Sequence, residues 1–202
     1  MKLFSLLTYC TATFASIAPL TTNLTNTDVK VREAGKVVET AYQPSLTKLL
    51  SRDSESAYEE ARRAAGRAGR SLSAGTWYYF MNCNDLDEEY GYEAATTRKG
   101  LEMMQTYHCS HVGLVVGKTS WTGRKFKATL IHLRAFTKGL DQTYHQYMPF
   151  DTQRLIWGGK TRESKANTKR LLDAGIRWLN GATGITEEHN CMTYYEYLVS
   201  LL

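Results

Sequence analysis

The sequence predicts an α+β domain in which a small antiparallel sheet packs with helices. Short β-prone runs and longer amphipathic runs follow one another after residue 76, and no stretch there approaches 18 apolar residues. Hydrophobic residues make up 43% of the 202 residues and charged residues 22%, so the composition excludes wholesale disorder. The net charge of +5 is interspersed, so no nucleic acid is expected as a partner. This surplus does permit peripheral contact with an anionic membrane or a cell wall.

Residues 1–18 have the layout of a secretory signal peptide, with one positive charge, a short apolar run and small residues near Ala15 and Ala18. We therefore expect a secreted, extracellular protein; the alternative is a buried N-terminal helix. Asn23 begins an Asn-Leu-Thr sequon and is a glycosylation candidate.

Residues 19–75 predict an N-terminal extension that is helical or flexible and that also qualifies as a pro-segment. A helix is expected over Ser54–Ala68 because Ser54 can cap it and charged pairs follow at helical spacing. The glycine-containing stretch 66–75 is expected to be a linker. Arg62-Arg63 resembles a dibasic processing site, and the alternative is a solvated helix face.

The domain itself is expected at 76–202. Aromatic and β-branched runs predict the strands, which are Thr76–Met81, His111–Gly117, Phe126–Arg134 and Gln153–Trp157. Amphipathic runs and cap residues predict the helices, which are Ala94–Gln105, Glu163–Asn180 and Asn190–Leu202. Acidic residues at 82–93, a turn at 118–125 and a loop at 181–189 separate these elements.

Three cysteines remain once the leader, with Cys10, is removed. An odd number in an oxidising compartment leaves at least one thiol outside an intramolecular disulfide. Cys83 and Cys109 flank the first predicted helix of the domain and are the disulfide candidate. Cys191 then keeps its thiol.

Cys191 follows the candidate N-cap Asn190 and so lies in the first turn of the last helix. The positive end of the helix dipole favours a thiolate there, which is the reactive form of a cysteine nucleophile. The alternative is a small buried side chain. The backbone N–H of Cys191 is a candidate oxyanion donor.

Two histidines are candidates for the base that would serve this thiol. If the hairpin turn centres between Trp121 and Thr122, His111 and His132 are directly opposed on neighbouring strands and share a face. One imidazole can then act as a base and the other can orient it. A metal pair or an incidental surface pair are the alternatives.

These motifs resemble a known family. Ser110-His-Val-Gly-Leu-Val-Val-Gly117, then Leu130-Ile-His-Leu133, then His189-Asn-Cys191 opening a helix, are similar to the lecithin retinol acyltransferase-like group. This group is the circularly permuted branch of the papain-like NlpC superfamily. The resemblance implies a permuted papain-like core with Cys191 as nucleophile, His111 as base and His132 as the orienting residue. It also implies a lipid acyl or peptide-amide substrate.

The predicted function is therefore that of a secreted cysteine hydrolase or acyltransferase, acting on an ester or amide carbonyl through an acyl-Cys191 intermediate. The alternative is a secreted effector or toxin-like binding protein in which Cys191 is structural. No cofactor and no metal are expected. His108, Cys109, His111 and His189 form a competing metal-binding set, but their spacing matches no recognised closed site.

Overall fold

The fold is described from a computed structural model that covers residues 43–85, 96–136 and 139–202, with side chains from residue 55 onward. The described helices are α1 (Gln43–Arg67), α2 (Arg98–Tyr107), α3 (Thr168–Trp178) and α4 (Cys191–Ser200). The described strands are β1 (Trp77–Asp85), β2 (Cys109–Thr119), β3 (Phe126–Phe136), β4 (Gly139–Gln146) and β5 (Gln153–Thr161). The predicted α+β class is confirmed. The predicted signal peptide and the sequon at Asn23 lie outside the described residues.

The five strands form one open antiparallel sheet in the order β4-β3-β2-β1-β5. Because side chains alternate along a strand, the sheet has two distinct faces. The α1 face carries the larger aromatic cluster, which includes Tyr78, Phe80, Val115 and Leu130. The α4 face carries the aliphatic cluster under α3 and α4, which includes Leu114, Ile131, Leu171, Tyr194 and Leu198.

Helix α1 packs directly on the sheet. Three small residues at helical spacing are buried against the α1 face: Ala57, Ala61 and Ala64. Arg62 and Arg63 lie on the other side of the helix, with side chains 59% and 61% exposed and paired to glutamates one turn earlier. The dibasic pair thus forms a solvated helix face. Residues 57–64 contribute to the core, so the expected boundary at 76 does not coincide with a packing boundary.

The ends of several elements differ from the prediction. Strand β5 continues through Gly158 and Gly159 to Thr161, beyond the expected end at Trp157. A side chain at Gly158 would lie 2.4 Å from the Tyr79 ring, so a glycine is needed there. Helix α3 begins at Thr168 rather than at residue 163, since Asn167 caps it by accepting a hydrogen bond from the Arg170 N–H. Strand β4 was not predicted at all.

The β2–β3 register is shifted by two residues from the prediction. His132 lies opposite Gly113, not opposite His111, so the prediction that the two histidines are directly opposed is wrong. A shift of two residues preserves the face on which a side chain lies. The two histidines therefore still share a face, as diagonal neighbours.

The predicted disulfide is present: Cys83 and Cys109 are bonded at 2.03 Å and fully buried. Disulfides persist in oxidising compartments, which agrees with the expected export. Within the described ranges, no helix is long and apolar enough to cross a membrane.

Candidate functional site

Cys191 occupies the first position of α4, as the sequence predicted. The Asn190 side chain accepts hydrogen bonds from the backbone N–H groups of Met192 and Thr193 at 3.1 and 3.0 Å. The Thr193 hydroxyl reciprocates by accepting from the Asn190 N–H at 3.0 Å. This capping box fixes the helix start, and it uses the N–H groups of the second and third helical residues. Asn190 is only 3% exposed, so the cap is shielded from water.

The surroundings of the Cys191 thiol are apolar and rich in sulfur. Its Sγ lies 3.9 Å from the Sδ of Met103, which is fully buried in α2. The thiol belongs to a small cluster built on Met81, Val112 and the disulfide. Cys191 itself is partly buried and is not disulfide-bonded. The disulfide thus forms part of the surface on which the candidate nucleophile rests.

A salt-bridged clamp holds this end of the sheet together. The Arg154 guanidinium pairs with the Asp85 carboxylate and donates to the Tyr107 and His108 carbonyls at the end of α2. His108, with a φ of 51°, ends the helix in the left-handed conformation just before Cys109. The clamp therefore ties β5, β1 and α2 together next to the disulfide.

The two predicted histidines are in direct contact. The Nε2 of His111 lies 3.0 Å from the Nδ1 of His132, with the rings nearly perpendicular at 74°. Gly113 makes this possible, because a Cβ there would lie 2.8 Å from the His132 Cβ. His145 on β4 continues the row, its ring centroid 5.9 Å from that of His132.

Both imidazoles are neutral at pH 7. Burial, followed by the nearby His132 and Arg134, lowers the pKa of His111 to about 3. Burial, followed by the nearby His145 and Arg134, lowers the pKa of His132 to about 4. A thiolate close to His111 would raise the pKa of that imidazole, because an opposite charge favours the protonated form.

Cys191 and His111 line the same small cavity. It measures about 30 Å³, room for only a few water molecules. It opens where the β2–β3 pairing stops at Gly113 and His132. Its lining includes both candidate residues, the helix cap and four apolar side chains: His111, Cys191, Asn190, Leu133, Ala135, Leu140 and Ile185.

The alternation of side chains also separates the thiol from the histidine pair. His111 and His132 follow the parity of Val115 and Leu130, so their Cβ atoms point toward the α1 face. Cys191 packs with Val112 and the disulfide, which belong to the opposite face. The two groups therefore approach the cavity from different sides of the sheet.

The metal alternative gains no geometric support from the described ranges. Within them, no group of three or more His, Cys, Asp or Glu side chains is arranged to hold a metal ion. Cys109 is in the disulfide, and the His189 ring packs on Trp178 with centroids 4.8 Å apart.

Sequence reasoning missed several residues of the cavity. Leu133 and Ile185 have no motif around them, and only the fold brings them into the cavity with Cys191. The same holds for Met103, which contacts the Cys191 sulfur from α2. Gly113 was the one available signal, since a glycine within a buried strand often marks a close approach by another chain segment.

Comparison with known proteins finds no matching family model, and no significant match among curated proteins or solved structures.

Proposed function

We propose that this protein is a cysteine hydrolase or acyltransferase that acts on ester or amide carbonyls. The observation that carries the proposal is the shared cavity, which is lined by the capped-helix Cys191 and by the histidine-bonded His111. The resemblance of the three motifs to the permuted papain-like group supports the same assignment of roles.

The nitrogen used by each histidine suits these roles. His111 contacts His132 through Nε2, so Nδ1 is the nitrogen that serves the thiol in this proposal. His132 would hold the ring in place as an orienting residue. A general base acts either directly or through one bridging water, and a cavity of this size can hold such a water.

The proposed reaction has two steps. The Cys191 sulfur attacks the carbonyl carbon while His111 takes the thiol proton, and the backbone N–H of Cys191 donates to the oxyanion. The C–O or C–N bond then breaks, and His111 returns the proton to the leaving group. Water or an acceptor attacks the thioester in the second step and releases Cys191.

The apolar side chains of the cavity suit an acyl group. Leu133, Leu140 and Ile185 would contact the hydrocarbon next to the carbonyl, in either a lipid ester or a peptide with an apolar side chain. Lipid acyl and peptide-amide substrates both meet this requirement.

Trapping of the acyl-enzyme tests the proposal. The full chain is incubated with p-nitrophenyl acetate and with a peptide amide, quenched in acid and digested, and the mass of the Cys191 peptide is measured. The proposal predicts an acetyl adduct on Cys191 that forms more slowly in a His111→Ala variant and not at all in Cys191→Ala. An adduct that forms equally fast without His111 would contradict it.

The position of the histidine pair favours one alternative, a secreted binding protein with a structural Cys191. The two histidines extend from the strands toward the α1 face, whereas the thiol packs with Met103 and the disulfide. In that case Cys191→Ala would lose packing but no function. The trapping experiment separates the two proposals.

A further inference from the structure

The turn between β2 and β3 exposes a large aromatic side chain. Trp121 is 81% exposed, whereas the other three tryptophans are partly buried. An indole combines an apolar body with one N–H donor, and such rings are enriched at protein interfaces and at membrane–water interfaces. Trp121 lies at the end of the sheet opposite to the candidate site.

The exposed ring is nevertheless held in place. The Lys118 Nζ lies 5.7 Å from the centroid of Trp121 and 5.9 Å from that of Trp77, so one cation contacts both indoles. The ring also covers Gly75, where an added Cβ would lie 2.6 Å from the Cζ3 of Trp121. Because these contacts already fix the Trp121 side chain, it loses little conformational entropy when its outer face binds a partner.

The same end of the molecule is strongly basic. Two chain segments form it, residues 70–76 and 118–127, which we call the basic hairpin end. They contain five Lys or Arg and no Asp or Glu. Backbone hydrogen bonds join them, from the Gly75 N–H to the Ser120 carbonyl at 3.2 Å and from the Thr119 N–H to the Thr76 carbonyl at 3.0 Å.

Three of these five cations are not neutralised within the described part of the chain. Lys118 and Lys125 pair with Glu163 and Glu55 respectively. The other three make no ion pair there and lie on the surface: Arg70, Arg124 and Lys127. The two segments that hold the exposed indole therefore carry a surplus of positive charge.

We propose that the basic hairpin end is a docking surface for a bilayer that contains anionic lipids. The Trp121 indole would enter the headgroup region, while Arg70, Arg124 and Lys127 would remain at the charged surface. A single outward ring flanked by cations matches this interface. Binding of single-stranded nucleic acid uses successive aromatic platforms along a groove, and this surface has only one such ring.

Docking in this way would hold the candidate cavity away from the membrane. His111 lies eight residue steps along β2 from Thr119 at the hairpin end, about 26 Å at the usual rise of a strand. A lipid of the same bilayer would not reach that cavity. The docking surface thus favours a soluble or peptide substrate, although it does not depend on the proposed hydrolase function.

Vesicle co-sedimentation tests the proposal with the full chain. Vesicles of phosphatidylcholine alone are compared with vesicles that contain 30% phosphatidylglycerol, at low and at high salt. We expect binding to the anionic vesicles only, weakened by salt, with a blue shift of tryptophan emission. Trp121→Ala should reduce the partition coefficient about ten-fold, and Arg124→Gln about five-fold.

Two matched variants test whether removing any exposed apolar side chain or any exposed positive charge weakens vesicle binding. Ile176 is 62% exposed on α3, and Lys165 is exposed before that helix; Ile176→Ala and Lys165→Gln should bind vesicles like the unchanged protein. Circular dichroism verifies that each variant folds. Absence of binding to anionic vesicles, or equal binding by Trp121→Ala, would overturn the proposal. Stronger, Trp121-dependent binding to a single-stranded DNA oligonucleotide would also overturn it.

Discussion

Removal of the disulfide should cost this protein a large part of its stability. Cys83 and Cys109 are 26 residues apart, and closing a loop of that length in the unfolded chain is worth about 3.5 kcal/mol by loop entropy. Both residues are fully buried in the cluster below Cys191. A Cys83→Ala/Cys109→Ala variant should therefore lose at least this amount from its free energy of unfolding, out of about 5–15 kcal/mol for a typical domain.

Urea unfolding followed by circular dichroism measures this loss. The denaturant slope should rise in the double variant, because an uncrosslinked unfolded chain exposes more surface. Cys191→Ala is the matched control, since it removes a sulfur from the same cluster and leaves the crosslink intact. It should cost about 1–2 kcal/mol. A loss below about 1 kcal/mol in the double variant would show that the crosslink does not stabilise the fold in this way.

Three further perturbations have defined outcomes. His111 and His132 have folded pKa values of about 3 and 4. Below about pH 6.5 the unfolded chain therefore binds more protons than the folded protein, and the free energy of unfolding decreases as the pH is lowered. Between pH 7 and pH 5 urea unfolding should show a loss of about 2 kcal/mol per histidine, which a double Gln variant should lack. Gly117→Ala should destabilise by about 2 kcal/mol or more, because its Cβ would lie 2.3 Å from a backbone carbonyl; Gly184→Ala, with no neighbour within 4 Å, should not. Glu60→Ala should cost about 2–3 kcal/mol in thermal or urea unfolding, since it orphans the buried Leu155 N–H; a loss below about 1 kcal/mol would contradict that contact.

Elements with strong local signals could be predicted from the sequence. The four predicted strands have aromatic or β-branched runs whose side chains fill the core. Asn190 is a favourable N-cap residue, and it predicts the start of α4. The disulfide followed from the parity of cysteines and from the helix between them. In each case a residue type and its position determined the local structure by themselves.

Other features depended on tertiary contacts. Strand β4 has no buried residue between Gly139 and Gln146, because it is an edge strand, and so it lacks the alternation that identifies a strand. The strand was expected to end at Trp157, before Gly158 and Gly159, yet these glycines continue it because the Tyr79 ring packs against them.

The candidate site was predictable as a set of residues but not as a geometry. His111 and His132 were expected to be in contact, and they are, although through a diagonal rather than a direct pair. Which side of the sheet each group approaches from depends on the register and on the packing of α1 and α4. The residue pattern of one sequence specifies neither the strand register nor the packing of these helices.

The pH dependence of Cys191 alkylation shows whether this thiol is a nucleophile coupled to His111. Iodoacetamide is applied to the full chain without reductant, and the modified peptide is quantified by mass spectrometry from pH 5 to pH 9. The account predicts rapid alkylation of Cys191 with an apparent pKa well below about 8.5, and a slower reaction in His111→Ala. An ordinary thiol whose rate does not depend on His111 would contradict the nucleophile and leave Cys191 a structural residue.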